Sequence, residues 1–188
     1  MTKERGQIVT DKILDTAERL FFKQGYNITG INQVIEEADI AKASLYKHFD
    51  SKVDLLVAYL QRFHQTWFDG LEANVNEVAD PKQKLLAIFD YHRGRQIKGE
   101  YGGCRFVKAN NEAGMSDLRV LAEIQKGKQH LRAFIEQLVI SSGHKKLLTD
   151  KELTDMIYMM AEGGLVAASI FKQADDLQSA KAIIQKLI

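Results

Sequence analysis

One short stretch of the chain, ADIAKASLYKHFDSKVDLL, gathers side chains that could bind an anionic polymer. Lys42, Lys47 and Lys52 carry positive charges that can neutralise phosphate groups. Tyr46 and His48 can donate hydrogen bonds to phosphate oxygens. A cluster of lysines on a helix is also typical of a plain solvated face, so charge alone does not separate the two interpretations.

The arrangement of the small and apolar residues favours the nucleic-acid interpretation. Ala41, Ala43 and Ser44 stand at the start of a predicted helix, where small side chains let free backbone N–H groups approach phosphates and base edges closely. Leu45 and Phe49 are four residues apart and form the inward edge of the same helix. The stretch therefore predicts a helix with one buried face and one face suited to DNA.

Helices must position this stretch, and the whole chain is predicted to be all-α, with about nine helices. Pro81 is the only proline, and apolar residues recur at helical spacing, as in Ile13, Ala17 and Leu20. In the N-terminal part the predicted helices span residues 10–24, 31–38, 41–49 and 51–78. In the remainder they span residues 81–99, 104–112, 117–141, 149–171 and 176–187.

Capping residues support these boundaries. Gly25 is a typical residue at a helix C-terminus. Ser51 begins a capping-box pattern, and a second such pattern begins at Thr149. Asp80 followed by Pro81 is a helix cap with a proline at the first helical position.

Composition bounds the class of protein. Of the 188 residues, 45% are hydrophobic and 27% are charged, which is the profile of a soluble globular protein. Cys104 is the only cysteine, so no intramolecular disulfide can form and a reducing cytosol is expected. Neither an export signal nor an apolar run of roughly 20 residues, the length that a membrane span needs, is present. We therefore expect a cytoplasmic protein with no membrane partner.

The order of the predicted helices suggests a helix-turn-helix. Three short helices precede a long fourth one, and the turn between the second and third contains only Asp39 and Ile40. This connection projects the second helix of the pair into the major groove of DNA. The third predicted helix is therefore the candidate recognition helix.

Residues 13–56 resemble the N-terminal DNA-binding domain of the tetracycline-repressor (TetR) family. The residues that carry the resemblance are Leu20-Phe21, Gly25-Tyr26, Thr29, Val34-Ile35, Ala38-Asp39-Ile40, the run Lys42-Ala43-Ser44-Leu45-Tyr46-Lys47-His48-Phe49, and Ser51-Lys52. Three positions depart from the usual pattern: Gly30 replaces a small hydroxyl residue, Asp39 a turn glycine and Ala43 a frequent glycine. Asp tolerates the left-handed conformation of such a turn better than most residues.

The resemblance implies two functional domains joined through the fourth helix. Residues 1–52 would form the DNA-binding domain, and residues 53–188 would bind an effector and dimerise. The expected partners are double-stranded operator DNA, an unknown small-molecule effector and a second copy of the chain. The predicted DNA contacts are Thr29, Gly30, Ala41, Lys42, Ala43, Ser44, Tyr46, Lys47, His48 and Lys52.

Aromatic and polar residues on the middle helices suit an apolar pocket with a few polar groups. The predicted effector-binding residues are His64, Trp67, Phe68, Phe89, His92, Cys104, Phe106, Asn110, Asn111, Phe134 and Tyr158. The segment GCRFVKANNE resembles the opening of the sixth helix of several family members, where that helix borders the ligand cavity. Most aromatic residues at helical spacing belong to a plain core, and Cys104 is either a sensor of oxidants or electrophiles or a small buried residue.

The eighth predicted helix is apolar on more than one face and must be covered on more than one side. It is either a central helix of a single chain or half of a dimer interface, as the family resemblance implies. The predicted interface residues are Met160, Gly163, Gly164, Ala167, Ala168 and Phe171.

Catalytic chemistry has little support in the sequence. The five histidines lie on separate predicted elements, and neither a P-loop, a GxSxG elbow nor a dinucleotide fingerprint occurs. We expect no catalytic residue, no metal and no cofactor. The favoured interpretation is a ligand-responsive repressor that binds a palindromic operator as a homodimer and is released by a small apolar effector. An α-helical enzyme acting on a hydrophobic small molecule, or a DNA-free interaction module, is the alternative, and activation instead of repression stays open.

Overall fold

A computed structural model describes residues 2–144 and 147–188. Within these ranges the regular elements are all helical, which confirms the predicted all-α class. The helices are α1 (Thr2–Lys23), α2 (Ile31–Glu37), α3 (Lys42–His48), α4 (Lys52–Asn76), α5 (Pro81–Lys98), α6 (Arg105–Ala109), α7 (Leu118–Ser142), α8 (Asp150–Phe171) and α9 (Asp175–Leu187). A π-helical turn, Asn110–Gly114, follows α6 directly.

The predicted caps at Asp80 and Thr149 are confirmed. The Asp80 carboxylate accepts a hydrogen bond of 2.7 Å from the Lys82 N–H, with Pro81 at the first position of α5. At the start of α8 the Thr149 hydroxyl accepts a bond of 3.2 Å from the Glu152 N–H, and the Glu152 carboxylate accepts one of 2.8 Å from the Thr149 N–H. Such caps satisfy backbone donors that a helix leaves without an internal partner.

The predicted start of the first helix is wrong by eight residues, since α1 begins at Thr2 instead of residue 10. The sequence before Thr10 lacks apolar residues at helical spacing, and Ile8 is 64% exposed, so no buried face marked this part as helical. Helical hydrogen bonding does not need such a face once a longer helix continues it. The extension brings Gly6 close to the His48 ring.

Packing divides the chain into two compact units. The first contains the residues up to His64 together with Arg105–Gln125, and the second contains Gln65–Cys104 and Lys126–Ile188. Because α4 and α7 cross these limits, each belongs in part to both units. The functional boundary predicted at residues 52 and 53 stays a prediction.

In the first unit, α1, α2 and α3 pack against one another. Val34, Ala38 and Leu45 are fully buried there. The Phe21 ring meets the Tyr59 ring edge to face, with centroids 5.8 Å apart. Aromatic pairs of this geometry add to the stabilisation from burial.

Ion pairs connect the segment Arg105–Gln125 to the earlier helices of the first unit. The Arg105 guanidinium pairs with the carboxylate of Glu18 on α1, and the same carboxylate lies 3.2 Å from Arg62 of α4. Arg119 lies 2.6 Å from the carboxylate of Asp54, in the first turn of α4. All of these side chains keep some solvent exposure, so the pairs are open to screening by salt.

The second unit has its own hydrophobic core, in which α5, α8 and α9 pack against one another. Gly164 of α8 faces Leu177 of α9 so closely that an added Cβ would lie 2.5 Å from a Leu177 methyl carbon. Among the helices that the structure describes, none is long and apolar enough to cross a membrane.

Candidate functional site

The turn between α2 and α3 has the conformation that the sequence predicted. Asp39 adopts φ +49°, in the left-handed region that its predicted role as a glycine replacement requires. The Lys12 ammonium lies 3.3 Å from the Asp39 carbonyl oxygen and 3.5 Å from its carboxylate. A short turn of this kind lets α3 follow α2 directly, as a helix-turn-helix requires.

One face of α3 is buried and the opposite face is exposed. Leu45 is fully buried and Phe49 is 7% exposed, which confirms their predicted inward position. Tyr46 is 41% exposed, and Lys42 and Lys47 are exposed as well. Of the other predicted contacts, Gly30, Ala41 and Ala43 are exposed, and Ser44, His48 and Lys52 are partly buried.

Thr10 orients His48 at the end of α3. The Thr10 hydroxyl lies 3.0 Å from the Gly6 carbonyl oxygen, to which it donates, and 3.1 Å from His48 Nδ1. This contact connects α1 to the last turn of α3 and restricts the orientation of the His48 ring.

Lys52, at the start of α4, contacts an aromatic ring. Its ammonium lies 4.1 Å from the centroid of the Tyr26 ring, within the range of a cation–π interaction. Burial lowers the pKa of Lys52, and the Glu112 carboxylate acts in the opposite direction. This predicted phosphate-binding side chain therefore contacts the Tyr26 ring, while Glu112 acts on its charge.

Thr29 differs from the other predicted DNA contacts because its side chain is fully buried. Its hydroxyl donates a bond of 2.6 Å to the Gly25 carbonyl oxygen and accepts one of 3.2 Å from the Gln24 amide. These bonds hold the turn between α1 and α2. The DNA contact predicted at Thr29 stays a prediction, and in this structure its hydroxyl is buried and bonded within the chain.

Four of the predicted effector-binding residues belong to the first unit. The rings of His64 and Phe106 are both buried, with centroids 6.1 Å apart. His64 Nδ1 lies 3.7 Å from the Glu123 carboxylate. Asn110 and Asn111 lie on the π-helical turn, where Asn110 is partly buried and Asn111 is exposed.

Aromatic residues of the predicted effector site also pair within the second unit. The Trp67 and His92 rings have centroids 5.5 Å apart, and the Phe68 and Phe134 rings have centroids 5.3 Å apart. Phe89 is only 1% exposed and belongs to the hydrophobic core of this unit. Whether these residues hold an effector stays a prediction.

Cys104 belongs to a polar cluster that the sequence did not reveal. The Lys128 ammonium lies 3.4 Å from the Cys104 sulfur and 2.5 Å from the Glu162 carboxylate. Burial alone would lower the pKa of Lys128, but the negative potential of Cys104 and Glu162 outweighs it, so that the pKa is raised. The cluster places two charged side chains beside Cys104, and the lone carboxylate in the apolar run MMAEGGLVAAS was the signal that could have revealed Glu162.

Comparison with known proteins shows which protein family these helices resemble. The family model described as "Bacterial regulatory proteins, tetR family" matches residues 13–59, which include α2, α3 and their turn. The HTH-type transcriptional repressor NemR of Escherichia coli K12 is 23% identical over 197 aligned residues, covering 100% of this chain and 98% of NemR. The chain belongs to the TetR family.

Other comparisons agree with this TetR-family assignment. The HTH-type transcriptional activator FasR of Mycolicibacterium smegmatis is 32% identical over 113 residues, covering 58% of this chain and 47% of FasR. The chain thus spans under half the length of several curated relatives that it matches, FasR among them. A crystal structure of a TetR transcriptional regulator from Chloroflexus aurantiacus has the same fold, with a TM-score of 0.84 and 21% identity, covering 96% of this chain and 94% of that one.

The TetR-family chain presents an apolar stripe along α8, formed by Met159, Gly163, Val166 and Ile170. Met159 is 61% exposed, Val166 48% and Ile170 65%, and Gly163 has open space around it. Of the predicted interface residues, Phe171 is 65% exposed, and Met160 and Ala167 are partly exposed. The residues of the stripe lie at helical spacing, so they share one exposed face of α8.

Two predicted interface residues have no free surface. Gly164 is buried against Leu177 of α9, and Ala168 is 1% exposed. Both are buried within their own chain, and their predicted role at a dimer interface stays a prediction. Small residues on an apolar helix indicate close packing but do not show which neighbour packs there.

Proposed function

We propose that this TetR-family chain is a DNA-binding transcriptional regulator that uses α3 as its recognition helix. The exposed face of α3 carries this proposal: Lys42, Tyr46 and Lys47 point outward, while Leu45 and Phe49 fix the helix from inside. Cationic and hydroxyl-bearing side chains of this kind contact phosphates and position a helix in the major groove. The TetR family is one of regulators and not of enzymes.

A homodimer that represses transcription is the finer form of the proposal. One helix-turn-helix makes few contacts, whereas two held rigidly read half-sites about 34 Å apart, one turn of DNA. The apolar stripe on α8 supports an isologous interface, in which the same surface serves both copies. NemR is named a repressor, whereas FasR is named an activator. We infer repression because NemR matches over the full length of the chain.

Release by a small apolar effector completes the proposed mechanism. Within the second unit, the aromatic residues among the predicted effector residues would supply apolar walls, and the Lys128–Glu162 pair beside Cys104 would supply polar groups. An effector can release DNA only if it binds the state that does not bind the operator more tightly than the state that does. Tight binding to both states would leave the operator occupied.

Fluorescence anisotropy with DNA from upstream of the protein's own coding region tests the proposal. The double variant Lys42→Ala Lys47→Ala should weaken binding and reduce the slope of log K against log salt by about two, one for each lost phosphate contact. Lys98→Ala removes an exposed lysine from α5 and serves as the control. An unchanged affinity and slope for the double variant would show that α3 is not the DNA-binding element.

A further inference from the structure

A carboxylate of the π-helical turn binds the backbone at the entrance of the helix-turn-helix. Glu112 Oε2 accepts a hydrogen bond of 2.6 Å from the Asn27 backbone N–H, across 85 residues of sequence. Asn27 lies in the turn between α1 and α2, and both partners belong to the first compact unit. Hydrogen bonds from a backbone N–H to a charged acceptor are stronger than those between neutral groups.

Gly25 makes room for this carboxylate. Gly25 has a φ of +94°, a left-handed conformation that agrees with its predicted position at the C-terminus of the first helix. A Cβ on Gly25 would, in addition, lie 2.8 Å and 3.0 Å from the two carboxylate oxygens of Glu112. Real Cβ atoms essentially never lie closer than 3.0 Å to another heavy atom, so a side chain at Gly25 would force the Glu112 carboxylate to shift from the position in which it binds Asn27.

The π-helical turn sets the position of Glu112. A π turn closes its hydrogen bonds between residues i and i+5, so it shifts the register of the residues within it relative to a regular α-helix. Gly114, at the end of this turn, again lacks the side chain that would collide, because a Cβ there would lie 2.6 Å from Asn110 Oδ1. π-Helical turns are rare in proteins, and those that occur are often found at functional sites.

The segment that Glu112 holds leads directly into α2. The Gly25 carbonyl oxygen accepts from the Thr29 hydroxyl, and Gly30 then caps α2. The Glu112 carboxylate also acts on Lys52, whose ammonium contacts Tyr26 in the same turn. One side chain outside the helix-turn-helix thus contacts the turn before α2 and influences a predicted phosphate contact at the start of α4.

We propose that Glu112 is a positioning residue for DNA recognition: its contact with Gly25 and Asn27 holds the helix-turn-helix in the geometry that binds the operator. The proposal rests on the proposed DNA-binding function.

Electrostatics alone predicts the opposite sign, which makes the proposal sharply testable. Removing an acid near Lys52 makes the surroundings of a phosphate contact more positive, so Glu112→Ala would then strengthen DNA binding. If Glu112 is a positioning residue, Glu112→Ala weakens operator binding by about tenfold, the value of one charge-assisted hydrogen bond. Glu112→Gln, which keeps an acceptor oxygen, should lose less. Glu136→Ala removes an exposed acid from α7 and corrects for the change in net charge.

Amide hydrogen exchange tests the contact without DNA. The Asn27 amide should exchange about tenfold faster in Glu112→Ala than in the wild type, and little faster in Glu136→Ala, because only the first loses the acceptor. Circular dichroism confirms that each variant is folded. Unchanged or tighter operator binding by folded Glu112→Ala overturns the proposal, as does an unchanged Asn27 exchange rate. If the wild type binds no DNA, the proposed function fails, and the exchange result still decides whether Glu112 holds the turn.

Discussion

Burial and a nearby cation keep the imidazole of His92 neutral. The side chain is 2% exposed, and its Nε2 has no hydrogen-bond partner among the residues that the structure describes. Burial, reinforced by the charge of Lys128, lowers the pKa of His92 to about 3. A charge is costly to bury without a partner, so His92 stays unprotonated in the folded protein at pH values where an exposed imidazole would bind a proton.

His92 should therefore make the stability of the protein depend on pH. In the unfolded chain a histidine has a pKa of about 6.5, so the unfolded state binds a proton below that pH while the folded state does not. We expect the free energy of unfolding to decrease by about 1.4 kcal/mol per pH unit as pH falls below about 6.5, with the loss continuing toward the pKa of the folded state.

Urea denaturation at pH 7.0, 6.0 and 5.0 measures this effect. In His92→Gln the buried group cannot titrate, so the decrease between pH 7.0 and 5.0 should be smaller than in the wild type by about 2 kcal/mol. Other histidines and carboxylates titrate in both proteins and cancel in the comparison. Equal decreases in the two proteins would mean that His92 takes up its proton in the folded state.

At the scale of single elements, the packing of α8 against α9 includes a very close contact between Gly164 and Leu177. A Cβ at Gly164 would lie 2.5 Å from Cδ2 and 2.9 Å from Cγ of Leu177, a residue that is fully buried. A side chain so enclosed cannot rotate away at low cost, since protein interiors are close-packed. The glycine is thus needed for packing and not for backbone freedom.

Gly164→Ala should destabilise the protein by about 1–2 kcal/mol, because overpacking costs more than the improved helix propensity returns. Thermal denaturation followed by circular dichroism measures the change. Gly94→Ala is the matched control, since Gly94 also lies inside a helix and no atom would meet its Cβ within 4 Å. If the two variants unfolded alike, the contact between Gly164 and Leu177 would have no energetic weight.

Much of the element structure could be predicted because it depends on local chemistry. The caps at Asp80 and Thr149 follow from side chains that accept hydrogen bonds from neighbouring backbone N–H groups. The left-handed conformations of Asp39 and Gly25 follow from residue types that tolerate a positive φ. The π-helical turn could not be predicted, because its residues would also suit an α-helix. The bond that Glu112 of this turn accepts from the Asn27 N–H could not be predicted either, because the two residues are 85 positions apart in sequence.

In the candidate site, too, features that depend on neighbouring residues could be predicted, and features that depend on distant residues could not. Helical spacing separates the buried face of α3, with Leu45 and Phe49, from the exposed face with Lys42 and Lys47. Helical spacing does not predict that the Thr29 side chain is buried and that its hydroxyl donates a hydrogen bond to the Gly25 carbonyl oxygen. It likewise gives no partner for Lys128 or Glu162, because ion pairs between distant helices arise only in the folded chain.

At the scale of the whole molecule, the apolar stripe on α8 should decide the oligomeric state. Val166→Glu together with Ile170→Glu would place two charges in the proposed interface, where burial without a partner is costly. We expect this double variant to be a monomer by light scattering and to lose most of its operator affinity. Met115→Glu charges an exposed apolar residue of the first unit and should leave the mass unchanged. A double variant of wild-type mass would place the interface elsewhere.

The ion pairs of the first unit affect how a salt titration of DNA binding must be interpreted. Added salt displaces protein from DNA through release of counterions from phosphates, and the slope is commonly converted into a number of phosphate contacts. In this chain, salt also screens the pairs of Arg105 with Glu18 and of Arg119 with Asp54, which connect Arg105–Gln125 to α1 and α4. Part of the measured slope of log K against log salt then comes from weakening of these ion pairs. The slope therefore gives an upper limit to the number of phosphates bound.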